Sequence, residues 1–397
     1  MPKIIVENVE KIFGRNVERA RKLLKDGIPK TEILEKTGCA IGVHDANFEV
    51  YEGETLVVMG LSGSGKSTLL RCLNRLYEPT GGRVIIDGID VTELNTEDLR
   101  KFRQKKFGMV FQRFALLPHK TVLENAAFGL ELQNIGVEER NSRAAEALEL
   151  VGLKGWENYN PRQLSGGMQQ RVGLARALAV DTDILLMDEA FSALDPLIRA
   201  DMQDELLALE DTVKKTIIFI THDLDEALKI GDRIVMMMDG RIVQIGTPED
   251  ILRHPATEYV ERFVENVDMT RVLCAKDVMV KASTITWPKD GPRTALHTMK
   301  EKGISSIFVV DKSRKFQGIV MADDAEKACK SNNGSLESII HRYTDLKVLP
   351  DTQLQEIMPL MVDSRFPVAV TDENEKLIGV IVRGSVIAGL VEKGVAE

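Results

Sequence analysis

Gly60–Ser67, read as GLSGSGKS, is the stretch that decides the fold. It fits G-x-x-x-x-G-K-[ST]. It follows an apolar run, Thr55–Met59, that reads as a strand, and it opens a helical pattern at Lys66 expected to continue to Leu76. Glycines here let successive backbone N–H groups close around phosphate oxygens, and the helix N-terminus adds its dipole. The candidate phosphate-binding set is Gly60, Ser62, Gly63, Ser64, Gly65 and Lys66. Lys66 would reach β- and γ-phosphates, Ser67 would ligate Mg²⁺, and Thr68 would add an α-phosphate contact.

Further strand-like runs at Ile184–Met187, Thr216–Ile220 and Arg233–Met238 are separated by helical stretches. That alternation predicts an α/β domain of roughly 260 residues, with a largely parallel sheet covered on both faces. The run Met236-Met237-Met238 reads as a buried strand end. Ile184–Met187 leads into Asp188-Glu189, two carboxylates at the carboxyl edge of the sheet, where open α/β folds place their ligand. Asp188 is expected to hold Mg²⁺ and Glu189 to polarise an attacking water. Phosphoryl transfer asks mainly for positioning and charge neutralisation, so this pair suffices.

Upstream, Lys3–Phe13 alternates as a strand. Arg15–Thr37 then places Val17, Ala20, Leu23 and Leu24 at helical spacing, breaks at Gly27 and Pro29, and resumes with Ile33 and Leu34. A small helical hairpin between two strands is predicted, as a surface decoration or as a docking element. Downstream of about residue 272 the texture changes. Ile307–Val320 is echoed by Val368–Ile381 at a separation of 61 residues, with Asp311 and Asp372 at matching places before Gly318 and Gly379. A duplicated β-α-β-β unit follows, whose copies should pack on each other because neither is large enough to bury a core alone.

Composition bounds the function. The 397 residues carry 52 Lys and Arg against 61 Asp and Glu, a net charge of −9, and 44% are apolar. Such a chain is neither disordered nor suited to sequence-independent nucleic-acid binding. The basic runs Arg103–Lys106 and Lys312–Lys315 read as solvated faces or local electrostatic contacts. Cys39, Cys72, Cys274 and Cys329 stand far apart, so neither a zinc site nor a disulfide framework is expected, and a reducing cytoplasm fits. No apolar run approaches the ~18 residues of a membrane span, and no secretory signal opens the chain.

Leu164–Arg171, LSGGMQQR, resembles the signature of ATP-binding-cassette (ABC) ATPases. The resemblance implies a P-loop domain with a RecA-like core, an antiparallel β subdomain and a helical subdomain. It also implies a head-to-tail dimer in which Ser165, Gly166 and Gly167 of one copy cover the ATP γ-phosphate held by Lys66 of the other. Within MVFQRFALLPH, Gln112 matches the loop glutamine that senses Mg²⁺ and the membrane partner. His222 in FITHDLDEA matches the switch histidine, Asp195 in SALDP the dimer-communicating loop, and Phe13 the aromatic placed under adenine. Glu189, His222, Gln112 and Lys66 are the catalytic candidates. Ser67, Gln112 and Asp188 are the Mg²⁺ candidates.

LSGSGKSTLLRCLNRLYEPTGGRVIIDG, DEAFSALDPLIR, the hairpin and the repeat together resemble the ATPase subunit of glycine betaine/proline (osmoprotectant) importers, over nearly the whole chain. Such a subunit meets transmembrane permease subunits with a substrate-binding domain or protein, at the cytoplasmic face of the membrane. An amino-acid or polyamine importer ATPase and a soluble ABC ATPase stay open as alternatives. The repeat resembles a tandem pair of cystathionine-β-synthase (CBS) modules. The organisation expected is an ABC domain at 1–265, a linker at 266–274, and CBS copies at 275–334 and 335–397. The ligand class implied for the pair is an adenine-bearing nucleotide such as cyclic di-AMP, with Asp324 and Arg383 as candidate contacts and regulation of transport as the role. The usual ribose-reading pattern is only partly present: Asp324 keeps the acid in copy one, and copy two keeps neither acid nor hydroxyl.

Overall fold

The computed structural model describes residues 2–391 apart from positions 113, 193, 214, 266, 267, 272, 332–334, 344, 345 and 363. Two compact units emerge, Met1–Val264 and Glu265–Glu397. The borders expected at 266, 334 and 397 lie outside the described residues.

The first unit opens with β1 (Pro2–Phe13), the hairpin helices α1 (Val17–Lys25) and α2 (Lys30–Thr37), and β2 (Ala40–Tyr51). The hairpin interrupts β1 and β2 just beyond the Phe13–Ala40 pair. It has its own small core of Ile12, Ala20, Leu24, Ile33, Cys39 and Ile41. Arg21 on α1 anchors it through Glu10, with Nη2 2.7 Å from Oε1, and α2 adds an ion pair from Lys30 to Asp239 at 3.3 Å. Next come β3 (Thr55–Met59), α3 (Lys66–Leu73), β4 (Gly81–Ile86), β5 (Ile89–Asp90), α4 (Thr96–Lys106) and β6 (Phe107–Phe111). Helix α3 ends three residues short of the expected Leu76. Arg75 is left-handed (φ 54°), and the Asn74 side chain accepts from the Leu76 N–H at 3.1 Å, which turns the chain away.

A helical layer follows: α5 (Val122–Ala126), α6 (Phe128–Leu132), α7 (Val137–Leu150) and α8 (Gly166–Ala179). The unit closes with β7 (Ile184–Asp188), α9 (Pro196–Val213), β8 (Thr216–Thr221), α10 (Leu224–Ile230), β9 (Arg233–Met238), β10 (Arg241–Gly246), α11 (Pro248–Arg253) and α12 (Glu258–Val264). One sheet is antiparallel, in the order β2-β1-β4-β5. The other runs β10-β9-β3-β8-β7-β6 and is parallel from β9 to β6.

Period-two alternation splits each central strand between two cores. Val57, Met59, Leu185, Met187, Ile217 and Phe219 face the helical layer. Leu56, Val58, Ile184, Leu186, Ile218 and Ile220 face α3 and the antiparallel sheet. Met236 and Met237 are buried at the end of β9, but Met238 is 39% exposed, because the strand gives way to the Asp239–Gly240 turn. The basic run on α4 is tied down internally. Arg103 donates to the carbonyls of Asn74 and Arg75, and Lys106 pairs with Asp87 and Asp183, so these two side chains are not a free docking face.

In the second unit α13 (Ala275–Val278) precedes two copies of one pattern. Copy one is β11 (Thr284–Thr286), α14 (Pro292–Lys302), β12 (Ser306–Val310), β13 (Phe316–Met321) and α15 (Ala322–Lys330). Copy two is β14 (Lys347–Val348), α16 (Leu354–Val362), β15 (Val368–Thr371), β16 (Leu377–Ile381) and α17 (Arg383–Val391). The matching aspartates build matching turns: Asp311 Oδ1 accepts from the N–H groups of Ser313 and Lys315, Asp372 Oδ1 from those of Asn374 and Lys376. Each copy has a core, and a third core joins Phe308, Val310 and Ile319 to Ala369, Leu377 and Val380, so the copies close on each other. None of the four cysteines is disulfide-bonded. Cys39 and Cys72 are buried, Cys274 and Cys329 partly exposed.

Candidate active site

Four adjacent parallel strands deliver polar side chains at their carboxyl ends. β3 runs into Gly60–Lys66, β6 into Gln112, β7 into Asp188 and Glu189, and β8 into His222. The sheet order β3-β8-β7-β6 thus assembles at one edge residues that are far apart in sequence.

The phosphate loop needs glycine where it has it. Gly60, Gly63 and Gly65 have φ of 148°, 80° and 107°. A β-carbon on Gly60 would lie 2.1 Å from the Met237 carbonyl oxygen, and one on Gly65 2.2 Å from that of Gly42. Lys66 is buried, with Nζ donating to the carbonyls of Gly60 (2.8 Å) and Leu61 (3.1 Å). Burial pulls its ammonium below the usual lysine range, against the opposing fields of Glu189 and Asp188.

Ser67 Oγ donates to Asp188 Oδ1 at 2.7 Å, and Arg71 Nη2 donates to Oδ2 at 3.2 Å. Gln112 Nε2 donates to Glu189 Oε2 at 2.9 Å and to Ser192 Oγ at 3.3 Å. His222 Nδ1 stands 3.7 Å from the same Glu189 oxygen, and Lys66 Nζ 3.9 Å from the other. Glu189 has φ of 48°, a left-handed backbone that costs a non-glycine residue about 1–3 kcal/mol. Its N–H is held by the Ile220 carbonyl and its own carbonyl by Ser192, which fixes the carboxylate at the strand end.

These residues fit a magnesium-bound triphosphate. Ser64 Oγ is buried without a hydrogen-bond partner among the described residues, a polar group that a phosphate oxygen would satisfy. Ser67 and Asp188 pair two hard oxygens, and no cluster of three His, Cys, Asp or Glu forms a metal cage among the described residues. Mg²⁺ takes one or two protein oxygens and completes its shell with phosphate and water, so a sparse donor set is the right one.

The signature residues lie elsewhere. Ser165 caps α8 by accepting from the Met168 N–H at 3.3 Å, and Asp195 caps α9 by accepting from the Ile198 N–H at 3.2 Å. Ser165, Gly166 and Asp195 are exposed, Gly167 half-buried, and among the described residues no hydrogen bond joins any of them to the phosphate loop. Phe13 is 37% exposed, edge-on to Tyr77 at 5.4 Å, and lies over Gly42, whose β-carbon would come within 2.8 Å of both the Phe13 ring and the Thr68 methyl. An aromatic face beside the start of α3 can receive a purine.

Sequence reading missed Arg71, Ser192 and Arg199. Arg199 Nη2 donates to the Leu194 carbonyl (3.2 Å) and Nη1 to Asp223 (3.3 Å), so it spans the segments that carry Asp195 and His222. Behind it Glu226 accepts from Thr221 and Gln203, and burial pushes its carboxyl above the usual range. No short-range pattern marks the Arg199–Asp223 and Arg71–Asp188 pairs, which lie 24 and 117 residues apart.

The second unit holds a cleft of about 430 Å³ lined by Ser305, Ser306, Arg365, Phe366 and Arg383 among others. The Arg383 guanidinium donates to the carbonyls of Met361 (2.9 Å) and Ser364 (3.3 Å). Asp324 is not among the lining residues. It bonds His341 Nε2 at 2.8 Å.

Residues 43–192 match the family model for the ABC transporter, and residues 275–331 and 340–392 that for the CBS domain. The chain is 58% identical to the glycine betaine transport ATP-binding protein OpuAA of Bacillus subtilis, over 98% of this chain and 92% of the relative. It is 55% identical to the glycine betaine/carnitine transport ATP-binding protein GbuA of Listeria monocytogenes, over 98% of each. Among solved structures, a dimeric ATP-binding cassette in a post-hydrolysis state with ADP and Pi superposes with a TM-score of 0.53 at 34% identity, covering 62% of this chain and 98% of the other. No helix among the described residues is long and apolar enough to cross a membrane.

Proposed function

This chain belongs to the ABC transporter family as an ATP-binding subunit, and from that premise we propose that it drives uptake of glycine betaine or a related compatible solute by binding and hydrolysing ATP. The observation that carries the ATPase reading is the convergence of Lys66, Ser67, Gln112, Asp188, Glu189 and His222 on one sheet edge. The solute is carried by the full-length likeness to glycine betaine transport subunits.

Lys66 neutralises the β- and γ-phosphates, and Asp188 with Ser67 holds Mg²⁺, assisted by Gln112. The metal, when bound, supplies charge neutralisation along the phosphate chain. Glu189 takes the proton of the attacking water. Gln112 and His222, both at its Oε2, orient that carboxylate. Phe13 stacks the adenine. Because Ser165, Gly166 and Asp195 are exposed, the site is completed by a second copy laid head to tail, whose amides exclude water from the γ-phosphate. Permease chains at the cytoplasmic face of the membrane complete the transporter.

The CBS pair is a regulatory module whose cleft receives an adenine nucleotide of the cyclic di-AMP class. Arg365 and Arg383 there supply positive charge, and Phe366 an aromatic face. The test is reconstitution with the co-purifying membrane chains in vesicles loaded with ATP. Accumulation of labelled glycine betaine in preference to amino acids and polyamines is expected; ATP-dependent accumulation of only the latter would overturn the solute. Addition of cyclic di-AMP should change the rate, and an unchanged rate with no nucleotide bound would remove the ligand.

A further inference from the structure

Tyr259 stands on α12, 198 residues from the phosphate loop, with its hydroxyl at the base of that loop. The phenol oxygen accepts from the Leu61 N–H at 3.1 Å and donates to the Met237 carbonyl, also at 3.1 Å. The ring is half-buried against the core under the helical layer and stacks edge-on to Phe263 at 5.0 Å. Both of its partners matter to the loop. The Met237 oxygen is the atom against which Gly60 is packed so closely that no β-carbon fits. The Leu61 N–H belongs to the same peptide group as the Gly60 carbonyl, which accepts from Lys66 Nζ at 2.8 Å.

A trans peptide is planar, with its N–H and C=O pointing opposite ways, so fixing one end fixes the other. We infer that Tyr259 is a positioning residue for ATP binding and hydrolysis: its hydroxyl orients the Gly60–Leu61 peptide and, through that carbonyl, the Lys66 ammonium that takes the triphosphate. The inference rests on the ATP-site reading above. Leu61 itself is 59% exposed and brings little packing to hold its peptide, so the phenol supplies an anchor that the loop's own side chain does not. Burial raises the phenol's pKa, which keeps it a donor to Met237 at neutral pH.

Tyr259→Phe keeps the ring and its contact with Phe263 while deleting both hydrogen bonds. In the full chain the KM for ATP and the Kd for a fluorescent ATP analogue should rise about 3- to 10-fold, with the loss falling on KM more than on kcat. In a Lys66→Ala background the same change should add little further loss, because the two residues act in series. Unaltered nucleotide affinity in Tyr259→Phe overturns the inference alone. So does an equal further loss on top of Lys66→Ala, which would make the tyrosine merely structural. A wild-type chain that binds no ATP overturns the ATP-site reading, and this inference with it.

Discussion

The phosphate loop and the signature turn are both glycine-rich, yet their glycines answer to different constraints. At Gly60 and Gly65 a β-carbon would meet the chain's own backbone at 2.1 and 2.2 Å, which forbids any side chain. At Gly166 the nearest atom to a β-carbon would be Phe114 Cζ, 3.8 Å away, an ordinary contact, and the turn faces solvent. One half of the site is specified by the fold that carries it. In the other, Gly167 would meet only the Ile198 side chain, at 2.6 Å, and Gly166 meets nothing closely, which leaves its face to the proposed head-to-tail partner.

The most severe way to sharpen this contrast is Glu189→Gln. Removing the proposed base should lower hydrolysis by about 10²–10⁴-fold while ATP still binds, trapping a closed dimer visible by size-exclusion chromatography. Rapid turnover by this variant would remove Glu189 from its role. Gly60→Ala should weaken ATP binding by about 100-fold even in an isolated copy, since strain of this kind alone costs about 1–3 kcal/mol and a backbone clash is added to it. Calorimetry with ATP checks it.

Gly166→Ala is the milder counterpart. Binding by a single copy and the melting temperature should hold, while hydrolysis by the pair falls about 10-fold, because a lost donor contact in a closed site matters only there. Mixing Gly60→Ala and Gly166→Ala chains offers a direct reading, since one composite site of the mixed pair is wholly wild type. Turnover above that of either variant alone is expected, and its absence would break the head-to-tail arrangement.

Much of this was legible in the chain because the informative residues are contiguous. GLSGSGKS, LLMDEA, LSGGMQQR and the repeat at 61 residues each state a local rule of backbone or pairing. What stayed hidden depends on folded neighbours. Arg71 meets Asp188 across 117 residues, and Tyr259 meets Leu61 across 198. The early end of α3 was set by an Asn74 side chain competing for backbone, and a polar residue there carries no unique signal. Asp324 has the acid of a ribose reader, yet it is taken up by His341, a partner no spacing rule would supply.

An effect on stability alone, with turnover little changed, concerns the hairpin beside Phe13, which tests whether the loop side is held by its own chain. Glu10 is buried, and burial alone would raise its carboxyl, but the bonds from Arg21 and Thr80 hold it below the usual range. A carboxyl so depressed contributes stability above its ordinary value of 4.5, and that contribution is lost as pH falls through the depressed pKa. Arg21→Ala should cost about 1.5–3 kcal/mol at neutral pH. It should also reverse the local pH slope, because an unpaired buried Glu10 then prefers to be protonated. Denaturant titrations from pH 3 to 7 would show it, and parallel wild-type and variant profiles would contradict it.

The distribution of thiols has a practical consequence. Cys39 and Cys72 are sealed in the ATP-binding unit, out of reach of an alkylating reagent, and burial pushes the Cys72 thiol up to about 12. Cys274 and Cys329 in the CBS unit are partly accessible. Brief maleimide treatment of the native protein will therefore dye the CBS half alone, providing an optical reporter of that half without altering a single codon.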